Sequence, residues 1–434
     1  MATRTVRRRD FLRGALAAFG GAVAAPAFVR SSALGAEGAV APSDRIALGV
    51  IGYGGRCSAI LPHFLQFADV QGLAVSDCAD GRLHAAKSTV DNHNRNQDCA
   101  THRDFRELLA RADIDAVLIA TGDRWHTPAT VYAARAGKDI YSEKPISLTI
   151  AEGRALVETC RRYGTVYQAG HQRRSVDTYR FQVEAVQKGM IGKLQTIHCQ
   201  VWAGPTVKPE APQPVPPGFD YDLWLGPTPW HPYTHARVQG GSWNYFWDTG
   251  AGPIVGMGCH YTDIAQWGHA SDDTAPVAYA GTATFDPDAF SDTPVTANVE
   301  CPYADGVKVV INSSGAFADR YIRFIGSEGW IQVDDETNRV TAQPASILKS
   351  RAISAKGWSL TGDHVRNWLD CIRTRQQTVC HPESAHRATT LCHAANISIR
   401  LGRPLQYDPK AERFVGCDEA NGMLSRAYRA PWTL

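Results

Sequence analysis

From Arg45 onward, apolar runs and amphipathic stretches alternate along the chain. Ile46 to Ile51 is a short apolar run that stops at a glycine cluster, as a buried parallel strand does. Leu73 to Asp77 reads as a second strand, Asp115 to Thr121 as a third and Asp139 to Pro145 as a fourth, with one more over Thr165 to Ala169. Between the third and fourth lies TPATVYAARAGK, helical in pattern and stopped by Gly137. Repeated units of this length predict a doubly wound parallel sheet. The texture changes near residue 175. LQTIHCQVW, VAYAGTATF, TANVECPY, GVKVVINSSG and RYIRFIGSEGWIQVD alternate inward and outward positions between turn residues. They predict a large open, mostly antiparallel sheet with one buried face. A proline-rich stretch, VKPEAPQPVPPGFD, interrupts them, and two helices close the chain. One carries Val365, Trp368, Leu369 and Ile372 on a single face; the other ends near Gly402. The expected class is α/β in two domains.

The glycine cluster GVIGYGGRCS sits where chemistry is expected. Strand, glycine turn, helix, strand and terminal acid is the order in which backbone N–H groups and a helix N-terminus receive a pyrophosphate. Gly52, Tyr53, Gly54, Gly55 and Arg56 form the turn, and Asp77 follows Gly52 at the distance of a ribose-binding acid. Asp77 would repel a 2′-phosphate, favouring NAD over NADP, while Arg56 and Arg82 argue the other way. Cys57 stands where a small residue is usual, and Pro62 falls inside the expected helix.

The 434 residues are 44% hydrophobic and 20% charged, with net charge +2. That balance gives no electrostatic case for nucleic acid or an anionic membrane surface. Residues 1–36 differ from the rest: Arg8-Arg9-Asp10-Phe11-Leu12, a weakly apolar Ala/Gly run and small residues to Ala36 fit a twin-arginine export signal, without a stable membrane anchor. The expectation is an exported, periplasmic protein that folds and loads its cofactor before meeting the translocon. Eleven scattered cysteines without a C-x-x-C pair suggest buried thiols, and no metal-ligand spacing appears.

GVIGYGGR, AVSD, DIDAVLIATGDRWHTPATVYAARAGKDIYSEKP, DYDLWLGPTPWHPY, GMGCHYTDIAQW and IRFIGSEGWIQV together resemble the Gfo/Idh/MocA oxidoreductases over residues 45–434. The resemblance implies a signal over 1–36, an NAD-binding Rossmann domain over 37–172 and a substrate-binding and oligomerisation domain over 173–434. It also implies a homo-oligomer, dimer or tetramer, with the active site in the cleft. Thr121, Asp123, Trp125, His126, Glu143 and Lys144 would then border the cofactor. Lys144 is the residue most often assigned to catalysis in relatives, its ammonium favouring a developing alkoxide.

In dehydrogenases of the family an aspartate precedes the site histidine by four residues. Here the histidine is His260 and the aspartate's place is Gly256. Asp263, three residues on, and Asp248 are the substitutes the sequence offers. His171, Arg173, Tyr233, His235, Trp243 and Asp248 are candidate substrate contacts, although tryptophans at a domain junction explain several of them nearly as well. The leading expectation is an oxidoreductase moving hydride between a retained nicotinamide cofactor and a secondary hydroxyl of a sugar, polyol or cyclitol. Two alternatives stay open: an NAD-dependent glycosidase of the same fold, and a sugar-binding protein without catalysis.

Overall fold

The computed structural model describes residues 40–353 and 362–434; the twin-arginine-like segment lies outside them. The first sheet has the order β3-β2-β1-β4-β5-β6, all parallel: β1 (Ile46–Ile51), β2 (Val70–Ser76), β3 (Ala100–His102), β4 (Ala116–Ile119), β5 (Asp139–Ser142) and β6 (Tyr167–Ala169). Every residue of β4 and β5 is buried, so their apolar runs are continuous rather than alternating. The helices α1 (Gly55–Leu65), α2 (Asp80–Asn94), α3 (Asp123–Arg135) and α4 (Ile150–Tyr163) follow successive strands and cover both faces. The strand β3 was not expected, and the runs expected over 115–121 and 139–145 form β4 and β5, which are shorter than the sequence suggests. Their last expected residues form the loops that carry Thr121 and Lys144. The α1 helix runs through Pro62 to Leu65.

The second sheet has nine strands: β7 (Leu194–Val201), β8 (Ala278–Thr284), β9 (Thr296–Pro302), β10 (Lys308–Ser313), β11 (Tyr321–Gly326), β12 (Trp330–Asp334), β13 (Val340–Gln343), β14 (Leu405–Asp408) and β15 (Arg413–Phe414). Only β7 and β10 pair in parallel. Inward residues such as Ile197, Val299 and Phe324 share one core cluster with residues of α5 (Asp177–Gln187), α6 (Gly258–His269) and α8 (Pro382–Leu401). The opposite face carries exposed Thr282, Asn298 and Glu300.

The amphipathic face of α7 (Gly362–Thr374) is buried as expected, but against the first sheet. Trp368 packs edge-on to Phe64 and Tyr141, and its indole N–H donates to the Val166 carbonyl at 3.4 Å. The chain therefore returns from the second sheet to complete the first core.

Candidate functional site

The glycine turn is built by close packing on one side and open space on the other. Gly52 has φ +83°, and a side chain there would meet Thr121 Cγ2 at 2.8 Å and the Ala120 carbonyl at 3.0 Å. This locks the end of β1 against the end of β4, where the strand order reverses. A Cβ on Gly54 or Gly55 would meet nothing within 4 Å. Both glycines line a cavity of about 500 Å³ that also touches Asp77, Thr121, Trp125 and Trp243. Asp77 accepts the Tyr53 amide at 2.7 Å and the Ala79 amide at 2.9 Å, which ties the turn to the end of β2. Its oxygens keep lone pairs for ribose hydroxyls. Tyr53 also lines the cavity, and its hydroxyl lies 2.7 Å from that of Thr89. Buried Cys57 simply packs, its thiol pushed well up by burial. An open cradle at a helix N-terminus, with an acid at the next strand end, fits a dinucleotide.

Behind this wall the loop after β5 meets α6. Buried Glu143 accepts Arg56 Nε at 3.0 Å and Gln172 Nε2 at 2.8 Å. Burial alone would push its carboxyl up, but Arg56 and Lys144 hold it below the ordinary range. Lys144 Nζ donates to the Gly256 carbonyl at 2.6 Å. Gly256 ends a short helix, Gly252–Gly256, and His260 lies one turn further on in α6. A side chain at position 256 would meet nothing within 4 Å. Among the described residues, buried His260 leaves Nδ1 without a partner, and buried His171 leaves both ring nitrogens so. Their rings meet edge to face, 5.6 Å apart. Lys144 thus reaches the helical turn just before His260, whose ring meets that of His171.

Other expectations need correction. Asp263 does not orient His260: it is buried with both oxygens 2.9–3.0 Å from Arg174 Nε. Arg173 is not an open substrate contact, because it grips buried Asp335 with two bonds of 2.7 and 2.8 Å. His126 turns inward from the cofactor cavity; Nδ1 donates to the Pro145 carbonyl at 2.6 Å and Nε2 lies 3.2 Å from the Thr121 carbonyl. Tyr233 packs against Tyr221 in an aromatic cluster, and His235 is exposed at the start of a short helix. Neither lines the cavity. Asp248 is occupied by His231 and Arg237. Asp123, Glu143 and Lys144 also stand outside the cavity lining. Buried Asp123 keeps Oδ2 without a partner, and burial pushes its carboxyl up to about 7 against the opposing pull of Lys144 and Arg124. Trp125 does line the cavity, with Nε1 donating to the Leu223 carbonyl at 3.0 Å. The sequence reading missed Arg124 and Trp224 on the wall, and Gln172 behind it.

The buried imidazoles make acid sensitivity a testable property. Burial pulls His126, His364 and His393 down to about 4, and His171, also beside Arg174, to about 3. The fold holds each neutral, so unfolding below pH 6.5 takes up protons that the native state refuses. The stability they confer is complete above that pH and is lost as pH falls toward 4 and then 3. Each contributes a slope of about 1.4 kcal/mol per pH unit in that window. Urea midpoints should fall steadily between pH 7 and pH 4; a flat profile contradicts this reading.

The parallel sheet with its glycine-lined crevice, joined to a large mixed sheet, defines a two-sheet α/β dinucleotide-binding protein. The oxidoreductase family model for an NAD-binding Rossmann fold matches residues 46–171, and the one for the C-terminal alpha/beta domain matches residues 190–434. The chain belongs to the Gfo/Idh/MocA oxidoreductase family. It is 24% identical over 377 residues to the uncharacterized oxidoreductase YrbE of Bacillus subtilis, covering 84% of this chain and 98% of that protein. It is 31% identical over 171 residues to glycosyl hydrolase family 109 protein 1 of Shewanella sp. MR-4, covering 36% of this chain and only 37% of that protein. The fold matches the WlbA dehydrogenase of Bordetella pertussis, solved with NADH and UDP-GlcNAcA. The TM-score there is 0.64 at 16% identity, over 84% of this chain and 99% of that one.

Proposed function

We propose that this protein is an NAD-dependent oxidoreductase acting on a secondary hydroxyl of a sugar, polyol or cyclitol, with the cofactor held through turnover. The observation that carries the reading is the placement of Lys144 Nζ on the Gly256 carbonyl, one turn from His260. A nicotinamide bound in the crevice supplies a hydride acceptor that can return the hydride. Lys144 donates to the substrate oxygen and favours its alkoxide character. His260 is kept neutral by burial and then by Arg173 and Lys144, so its imidazole can accept the hydroxyl proton. Asp77 at the cavity wall supports NAD over NADP, since a carboxylate repels a 2′-phosphate. The twin-arginine-like segment supports export to the periplasm, where no free nucleotide pool replenishes a lost cofactor; the polar face of the second sheet is the surface proposed for a homo-oligomer.

A redox glycosidase is the second reading, favoured by the empty carboxylate position at Gly256 and by the partial match to a glycosyl hydrolase. One experiment tests both. Protein purified from cells should release NAD or NADH on denaturation, and a panel of free sugars should then raise reduced-nicotinamide absorbance. Nitrophenol release from aryl glycosides without net absorbance change at that band selects the glycosidase. A protein that binds no nucleotide sinks both readings.

A further inference from the structure

Arg124 is the most unusual charge on the cavity wall. It follows β4 directly, in the first turn of α3, and is 2% exposed. Its Nε donates to the Trp224 carbonyl at 2.6 Å, and its guanidinium lies 3.8 Å from the Trp224 ring centre and 5.8 Å from that of Trp243. Both rings lie within cation–π reach of the guanidinium, Trp224 much the closer. Among the described residues Nη1 has no hydrogen-bond partner, and the residue lines the cavity. The nearby carboxylate of Asp248 is engaged by His231 and Arg237. Gly122 makes the arrangement possible, because a Cβ there would sit 2.5 Å from Nη1. Asp123 and Asp248 act on the guanidinium from a distance, but among the described residues it forms no ion pair, so its unmet hydrogen bond points to a ligand.

The wall opposite tells which anionic group this is. Gly52 packs on Thr121, which brings the start of α3 with Arg124 and the open cradle of Gly54 and Gly55 to one cavity. Asp77 occupies the ribose position, leaving the phosphates to the groups between. We propose that Arg124 binds the pyrophosphate of the dinucleotide from the side facing the glycine turn, clamped by Trp224 and Trp243, and so slows loss of the cofactor. The proposal rests on the reading of this cavity as the dinucleotide site.

The test is binding of ADP-ribose and of adenosine to the purified full-length chain stripped of nucleotide. R124Q should weaken ADP-ribose about 10–100-fold, the loss of one charge-assisted hydrogen bond in a dry site, and leave adenosine unchanged. R124K should recover part of the loss. G122A, which keeps the arginine but crowds Nη1, should reproduce it and should speed release of bound NAD, so the proposal does not depend on R124Q folding. Unchanged ADP-ribose affinity in G122A and in folded R124Q overturns it. So does an equal loss of adenosine, which would mean a collapsed wall, or a loss confined to NADP, which would assign Arg124 to a 2′-phosphate. Wild-type protein that binds no ADP-ribose overturns the dinucleotide reading itself.

Discussion

Replacing Lys144 with methionine lowers turnover by roughly 10²–10³-fold and leaves ADP-ribose affinity within about twofold of wild type. The size follows from removing a group aimed at developing negative charge in a dry site. The selectivity follows from position: Lys144 lies outside the wall of the dinucleotide cavity and reaches to the Gly256 carbonyl. Its ammonium lies within the field of Glu143 and Asp123 but forms no ion pair with either among the described residues, so it can turn from the Gly256 carbonyl to a substrate oxygen. Methionine keeps most of the length and the apolar stem, so packing changes little. Single-turnover absorbance of the nicotinamide, with fluorescence titration of ADP-ribose, separates the two effects. If both fall together, Lys144 is a structural support of the crevice. If turnover survives, the lysine has no part in the chemistry.

The sequence showed best what depends on local pattern. Buried parallel strands are continuous apolar runs, so β1, β2, β4 and β5 were legible, as were the glycine turn and Asp77 that terminate two of them. Lys144 was legible through the family resemblance of the SEKP stretch that closes such a strand. Partners distant in sequence were not. Position i+3 from His260 made Asp263 look like its orienting acid, yet that carboxylate faces Arg174, which comes from the segment after β6. Its neighbour Arg173 is claimed in the same way by Asp335, at the end of the hairpin of β11 and β12. Arg124 was not singled out, because its aromatic partners come from residues 221–243, where neither helical nor strand periodicity exists to reveal a face. The helical face of Val365 and Trp368 showed that α7 is buried; only the coordinates show that it is buried on the first sheet.

Position 256 gives the sharpest test of His260. The charged groups that act on its imidazole are cations, with Arg173 and Lys144 adding to burial, so the neutral form persists well below pH 6.5. The wild-type enzyme should show no acid limb from this residue near neutral pH. H260Q should lower kcat by about 10²–10⁴-fold, the usual contribution of a positioned base. G256D restores a carboxylate one turn before the histidine, and the site has room, since a Cβ there meets nothing within 4 Å. An opposite charge raises a histidine pKa by roughly 1–3 units, so in G256D activity should decline as pH falls toward 6, where wild type stays flat. The new carboxylate also competes for Lys144, so kcat above neutral pH should not exceed wild type by much. A pH–rate series on the three proteins from pH 5 to 9 checks this. Should G256D keep the wild-type profile while H260Q remains active, the proton goes elsewhere, and buried Asp123, poised at about 7 with a free Oδ2, is the group to replace next.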